Sequence, residues 1–162
     1  MTVITVAALE GRLSLAQRRV LAATLTDAVL VPEVGQAAPS ARVGFQVHFV
    51  ERSRGHIAIG GALVEDLPLD PMVIDPMLID IAVMEAAWPR EVRARVIANV
   101  YEALAAALEV AAPSPAWWVN FRVIEEGSWG SRGGPLSILD LLDSGVFTPE
   151  RAAEIRAALE RT

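Results

Sequence analysis

Arg12 follows Gly11 at the end of a short apolar run, a place from which its guanidinium can hold a carboxylate through two parallel hydrogen bonds. An ion pair with a nearby acid such as Glu10 accounts for it equally well. A second concentration of reactive types is Glu125-Glu126-Gly127-Ser128-Trp129-Gly130-Ser131-Arg132-Gly133-Gly134. Its composition reads as a flexible polar loop with one aromatic anchor. Glu125 or Glu126 could activate water there, with Trp129 walling a pocket and Arg132 holding an anion. A surface loop or subunit contact is the plainer account. The segment lacks the glycine and lysine spacing of a phosphate-binding loop. Gln46, His48, Asn120 and Arg122 occupy the polar positions of two alternating runs, where they could line a pocket between subunits or hydrogen-bond an interface. His56, next to Gly55, reads as structural.

Composition removes several other chemistries. The chain has 162 residues, a net charge of −6 and no cysteine. Without cysteine there is no disulfide, thiolate zinc site or cysteine nucleophile. Two histidines are too few for a histidine-rich metal site. Its 14 basic residues are dispersed in an acidic chain, which argues against nucleic acid as a partner. A hydrophobic fraction of 53% is high, yet no stretch approaches the roughly 18 unbroken apolar residues of a membrane span. The surplus points to a subunit interface instead. The first nine residues have no basic flank and read as a buried strand, not a signal peptide, which makes the cytoplasm the expected location.

The elements that must position these residues follow from periodicity. Residues 3–9 form a β-rich run closed by Gly11. Ser14 is a plausible N-cap for a helix carrying Leu15, Val20, Leu21, Leu25 and Val29, which Pro32 and Gly35 should end. Residues 43–50 alternate as a strand with Val43, Phe45, Val47 and Phe49 on the core face. Arg52–Gly61 reads as a turn or hairpin. Residues 65–77, with Pro68, Pro71 and Pro76, form a linker. The pattern then restarts: a strand over 78–84, Pro89 in the first turn of a helix running to about residue 111, and a strand over 117–124. One of Trp117 and Trp118 should face the core and the other the far side. Thr148 and Pro149 open a last helix with Ala152, Ile155 and Leu159 on its apolar stripe, packed on a partner subunit or capping the domain.

The layout strand–helix–strand–Glu occurs twice, 74 to 76 residues apart, with Phe45–Glu51 matching Val119–Glu125 polar on polar and apolar on apolar. Right-handed crossovers make each pair of strands parallel. The expected fold is therefore α+β: a tandem β-α-β repeat giving a four-stranded mixed sheet with two long helices on one face, plus a C-terminal helix. Residues 1–64 would be the first unit, 78–134 the second, and 135–162 an extension, all in one domain.

Val3–Arg12 ending Leu-Glu-Gly-Arg, the helix after Ser14, and Gly55-His56-Ile57-Ala58-Ile59-Gly60-Gly61 together resemble 4-oxalocrotonate tautomerase. The double-length layout is similar to the fused tautomerase-superfamily families of cis-3-chloroacrylic acid dehalogenase and malonate semialdehyde decarboxylase. Trp129–Gly133 resembles a Trp- and Gly-rich segment of the latter. The resemblance implies a homotrimer, no metal or cofactor, and isomerase or lyase chemistry on a small carboxylated or enolisable carbonyl compound. It also implies an amino-terminal base, a proline in those families, at the position of Thr2. A Thr2 amine freed of Met1 could serve as general base or form a Schiff base; alternatively Thr2 simply begins an edge strand. By the same resemblance Arg12 matches a substrate-binding arginine, while the second arginine falls on Gln46, the pocket phenylalanine on Ile57 and the dehalogenase tyrosine on Asn120. The pair of arginines after the third strand has no counterpart in Met84–Trp88. The expected site is thus Thr2, Arg12 and Glu126 for catalysis, with Gln46, His48, Ile57, Asn120, Trp129 and Arg132 contacting substrate. The rival expectation is a family member without catalysis that persists as an oligomeric binding or structural protein.

Overall fold

The computed structural model describes residues 1–68 and 75–160. Alternation places the side chains of β1 (Thr2–Leu9) strictly in and out, with Thr2, Ile4, Val6 and Ala8 buried. Ser14 then opens α1 (Leu15–Val34) with a reciprocal capping box: its hydroxyl accepts the Gln17 N–H, and the Gln17 side chain accepts the Ser14 N–H at 2.9 Å. The chain returns as β2 (Phe45–Arg52), parallel to β1, and a small hairpin of β3 (Ala58–Ile59) and β4 (Ala62–Leu63) turns at Gly60-Gly61.

The second unit repeats the first as β5 (Met77–Met84), α2 (Arg90–Ala107) and β6 (Trp117–Ile124), with β5 and β6 parallel. The two units join through β1 and β5, which run antiparallel, so the sheet order is β2-β1-β5-β6 and the strand that Thr2 begins is central, paired on both sides, not an edge strand. Both long helices cover one face. Leu21, Leu25 and Val29 of α1 and Val96, Val100 and Leu104 of α2 bury themselves against Ile4, Val6, Ile79, Ile81 and Val83. This is the α+β tandem repeat that the sequence pattern predicts.

Several local expectations change. Pro32 does not end α1 but lies inside its last turns. A proline there supplies no N–H to the carbonyl four residues back. That carbonyl, of Ala28, accepts the Asn99 amide of α2 instead, at 3.4 Å. Gly35 is what stops the helix, in the left-handed region at φ 82° with its N–H on the Val31 carbonyl. β2 starts at Phe45, two residues late, because residues 39–44 form a 3-10 turn that leaves Val43 90% exposed rather than on the core face. Pro89 is the N-cap of α2, extended at ψ 160°, not a first-turn residue. Part of the expected 65–77 linker, residues 69–74, lies outside the described residues.

Beyond the repeat come the hairpin of β7 (Gly130–Ser131) and β8 (Gly134–Pro135), a short α3 (Ile138–Leu142) with no expected counterpart, and α4 (Pro149–Leu159). Thr148 caps α4 as the sequence suggests, accepting the Arg151 N–H. The helix closes over its own domain: Ile155 is fully buried, and the Thr148 N–H donates to the Val34 carbonyl at the end of α1.

The other sheet face carries Gln46 and His48 on β2, Leu78 and Asp80 on β5, and Trp118, Asn120 and Arg122 on β6. Trp117 is buried on the helix side while Trp118 is 68% exposed on this one.

Gly35 has no room for a side chain. A Cβ would meet the Thr148 hydroxyl at 2.8 Å and the Arg151 Cγ at 2.9 Å, besides forcing an L-residue to positive φ. Gly35→Ala should therefore destabilise the fold by about 2–4 kcal/mol, read as a lower urea midpoint with an unchanged slope.

Candidate functional site

The helical stripe Leu21, Leu25, Val29 continues four residues on to Glu33, so the same periodicity that buries those apolar residues buries a carboxylate. Glu33 is 3% exposed, and its Oε2 has no hydrogen-bond partner. Burial pushes its pKa up to about 7, against the opposing pull of the terminal ammonium and of Arg151. The unfolded chain releases that proton near the ordinary value of 4.5, so this carboxyl weakens folding as pH rises toward and through about 7.

The amino terminus reaches the same place from the sheet. Because β1 and β5 are antiparallel, the start of β1 lies beside the end of β5. The Met84 N–H donates to the Met1 carbonyl at 3.1 Å, and the Met1 ammonium donates to the Met84 Sδ at 3.4 Å. Burial lowers the pKa of this amine, with the Glu33 carboxylate acting in the opposite sense. Thr2 points inward, 1% exposed, with its hydroxyl unpartnered.

Arg151 of α4 closes the cluster. Its Nε donates to the Glu33 carbonyl at 3.1 Å, one Nη to the Ala86 and Ala87 carbonyls at 2.8 and 3.2 Å, and the other Nη to Glu154. With Nε and that first Nη engaged, no pair of parallel N–H groups is left for an outside carboxylate. Periodicity already marks Glu33, but Arg151 arrives from more than a hundred residues away and carries no local signal. One compositional fact does bear on the site: all 14 basic residues are arginine. The chain has no lysine, so its α-amine is its sole primary amine.

The residues expected to act with Thr2 are not all gathered at its end of the sheet. Arg12 lies past the opposite end of β1, whose eight residues span about 25 Å. Its fork holds Asp75, at 2.7 and 2.8 Å, and the Trp117 indole N–H adds a third bond to that carboxylate at 3.0 Å. The acid paired with Arg12 is therefore Asp75, not Glu10. Glu126 accepts the Ile138 N–H at 3.2 Å, holding the start of α3. Trp129 is half-buried against the core, its carbonyl accepting the Leu136 N–H at 2.8 Å, and Arg132 is exposed at the tip of the β7–β8 turn with φ 54°. The expected flexible loop is thus a built hairpin, with Arg132-Gly133 supplying the two positive-φ residues of a tight turn.

Gln46 and His48 bond each other at 2.9 Å on the edge strand β2. Asn120 lies in the same row as His48 but across Thr5 and Asp80, three strand spacings or about 14 Å away. Arg122 pairs with Asp80 at 2.7 and 2.9 Å. Ile57 is half-buried beside the β3–β4 hairpin. Within one protomer, then, Arg12 does not meet Thr2. The register puts the end of β6 two strands from Thr2 and Gln46 beside Val3, so that Glu126 and Gln46 stand at the Thr2 end of the sheet, with Glu126 taken up by the Ile138 N–H. A shallow depression lined by Val6, Leu13, Arg18, Phe49 and Glu51 belongs to the Arg12 end, away from the amine. Among the described residues no helix is long and apolar enough to cross a membrane.

No family model and no curated protein matches the sequence. Solved structures do match the fold. N1, a member of the cis-3-chloroacrylic acid dehalogenase (cis-CaaD) family, superposes with a TM-score of 0.65 at 17% identity, covering 96% of this chain and 99% of that one. The Q0 fused 4-OT, a wild-type symmetric trimer, gives 0.64 at 18% identity over 85% and 96%. Pt0534, inactivated by 2-oxo-3-pentynoate, gives 0.63 at 19% identity over 86% and 98%. The chain has the double β-α-β fold of these structures.

Arg12→Ala should leave the nearly buried Asp75 carboxylate with only the Trp117 N–H among these partners. The expected cost is about 1–3 kcal/mol in urea denaturation. Combining it with Asp75→Asn should recover part of that loss, since the two residues share one interaction.

Proposed function

We propose that the amino end of β1 is an acid–base site acting on small enolisable carbonyl compounds by proton transfer. The α-amine is the base. It is Met1's where that residue is retained and Thr2's where it is removed. The observation that supports this most is the desolvated amine itself: burial lowers its pKa and so raises the share of neutral, proton-accepting amine near neutral pH. In one direction the lone pair takes a proton from the carbon next to the carbonyl and the resulting ammonium returns it to oxygen; in the other it takes the enol hydroxyl proton and returns it to carbon. Hydration or decarboxylation of related carboxylated compounds would draw on the same base.

The assembly we infer is a homotrimer, as in the Q0 fused 4-OT. Support comes from the uncovered sheet face, where Trp118 is 68% and Leu78 39% exposed in register with each other. In this reading Arg12, His48, Ile57, Asn120, Trp129 and Arg132 contribute to a site across subunits, while Gln46 and Glu126 stand at the Thr2 end of their own protomer's sheet. One observation favours the rival, a binding or structural role without turnover: the fork of Arg12 is already spent on Asp75.

Two measurements test these readings. Incubation with 2-oxo-3-pentynoate should add one reagent mass, located at the α-amine by peptide mapping, as the amine adds to the electron-poor triple bond. The untreated protein should ketonise the enol of phenylpyruvate faster than buffer, and its intact mass states which residue carries the amine. An unmodified chain that is also no faster than buffer would leave the binding or structural role. Separately, Trp118→Glu should convert a species of about three times the 17.4 kDa chain mass to a single chain in light scattering. A wild type that already runs as a monomer sinks the trimer.

A further inference from the structure

A residue that carries a free α-amine is ordinarily mobile, because nothing before it fixes its torsions. Here both polar groups of that residue are held by one partner. The Met84 N–H donates to the Met1 carbonyl at 3.1 Å, and the Met1 ammonium donates to the Met84 Sδ at 3.4 Å. These contacts lie on either side of the Met1 Cα, so together they fix the rotation about the Cα–C bond that would otherwise swing the amine. Met84 is itself held fast. It is 1% exposed at the end of β5, and its carbonyl accepts the Trp88 indole N–H at 2.8 Å. On the other flank the Met1 side chain lies against Gly44, just before β2, where a Cβ would meet its Sδ at 3.1 Å.

The kind of acceptor matters as much as its place. A thioether is a weak, uncharged acceptor. A carboxylate bonded to the ammonium would hold its proton with a full charge and delay its release. Sulfur directs the N–H and leaves the proton easy to lose, which suits an amine whose pKa burial already lowers.

We infer that Met84 is the positioning residue for the Met1 α-amine, its sulfur aiming the nitrogen and its backbone N–H anchoring the residue that carries it. This rests on the reading of the amine as a base, but the clamp is a property of the resting protein. No substrate is needed to see it.

The charged groups at this end come from three elements. Glu33 of α1 acts on the amine's pKa in the raising sense. From α4 comes Arg151, engaged with the Glu33, Ala86 and Ala87 carbonyls and with Glu154. At the exit of β5, Glu85 accepts the Ala87 N–H at 2.9 Å. Met84→Leu leaves all of them in place. It keeps a side chain of similar volume and the backbone bond to Met1, and removes only the acceptor.

The first readout is acylation of the α-amine by limiting acetic anhydride across pH, followed by intact mass. It is specific because the chain has no lysine. The ammonium loses its acceptor in Met84→Leu, so the labelling midpoint should move to lower pH. In enol ketonisation the same variant should lose about three- to tenfold in kcat, the worth of one weak hydrogen bond, with KM unchanged. Met84→Ile, equally without an acceptor, should behave alike and serves if Met84→Leu does not fold. A midpoint unmoved in the folded variants, or a kcat equal to that of the wild type, overturns the inference and makes Met84 a packing residue. An intact mass lacking Met1 overturns it too, since the clamped residue is then gone. A midpoint that moves in a protein with no ketonisation keeps the clamp and removes the proposed reaction.

Discussion

Arg151 is the tie on which the amino-terminal end of the molecule depends. Only 7% exposed, it satisfies carbonyls that regular structure leaves without donors: that of Glu33 in the last turn of α1, and those of Ala86 and Ala87 where the chain leaves β5 with Ala87 at φ 48°. A guanidinium tolerates such burial because its planar donors can each be paired. By linking the ends of α1, β5 and α4 it walls the space in which Glu33 and the α-amine are drawn from water. Its charge also offsets part of the cost of burying Glu33.

The opposite end of the central strands shows the same architecture put to a different use. With β1 and β5 antiparallel at the centre, each unit begins where the other's first strand ends. In the first unit that junction holds the Met1 amine, bonded to the Met84 Sδ. In the second, the chain arrives continuously through Asp75 and Pro76, so no amine is available there. The junction carries the Arg12–Asp75 pair and the Trp117 indole instead. One repeat thus offers an ionisable terminus, and its counterpart offers a closed ion pair with side chains 29% and 9% exposed.

Alternating and helical apolar spacing fixes a residue's face from its own neighbours, so the four long strands, the two long helices, the Ser14 and Thr148 caps and the repeat could all be read along the chain. Where that reading failed, a distant partner had intervened. Pro32 stays helical because Asn99 of α2 takes the carbonyl it abandons. Val43 leaves the core because a 3-10 turn ends just after it. The Glu125–Gly134 segment, glycine-rich and apparently loose, is ordered by a two-residue turn and by the bond from Ile138 to Glu126.

For this protein the sequence by itself determined the tandem β-α-β architecture, the absence of thiol chemistry and the single primary amine. Each of these depends on local order or on composition alone. The tertiary structure decided which charges meet. It drew Arg12 to Asp75 instead of to the start of its own strand, brought Arg151 across to the end of α1, and left a helical glutamate, Glu33, buried. Such pairings depend on desolvation and on distances between residues far apart in the chain, and neither can be read from spacing along it.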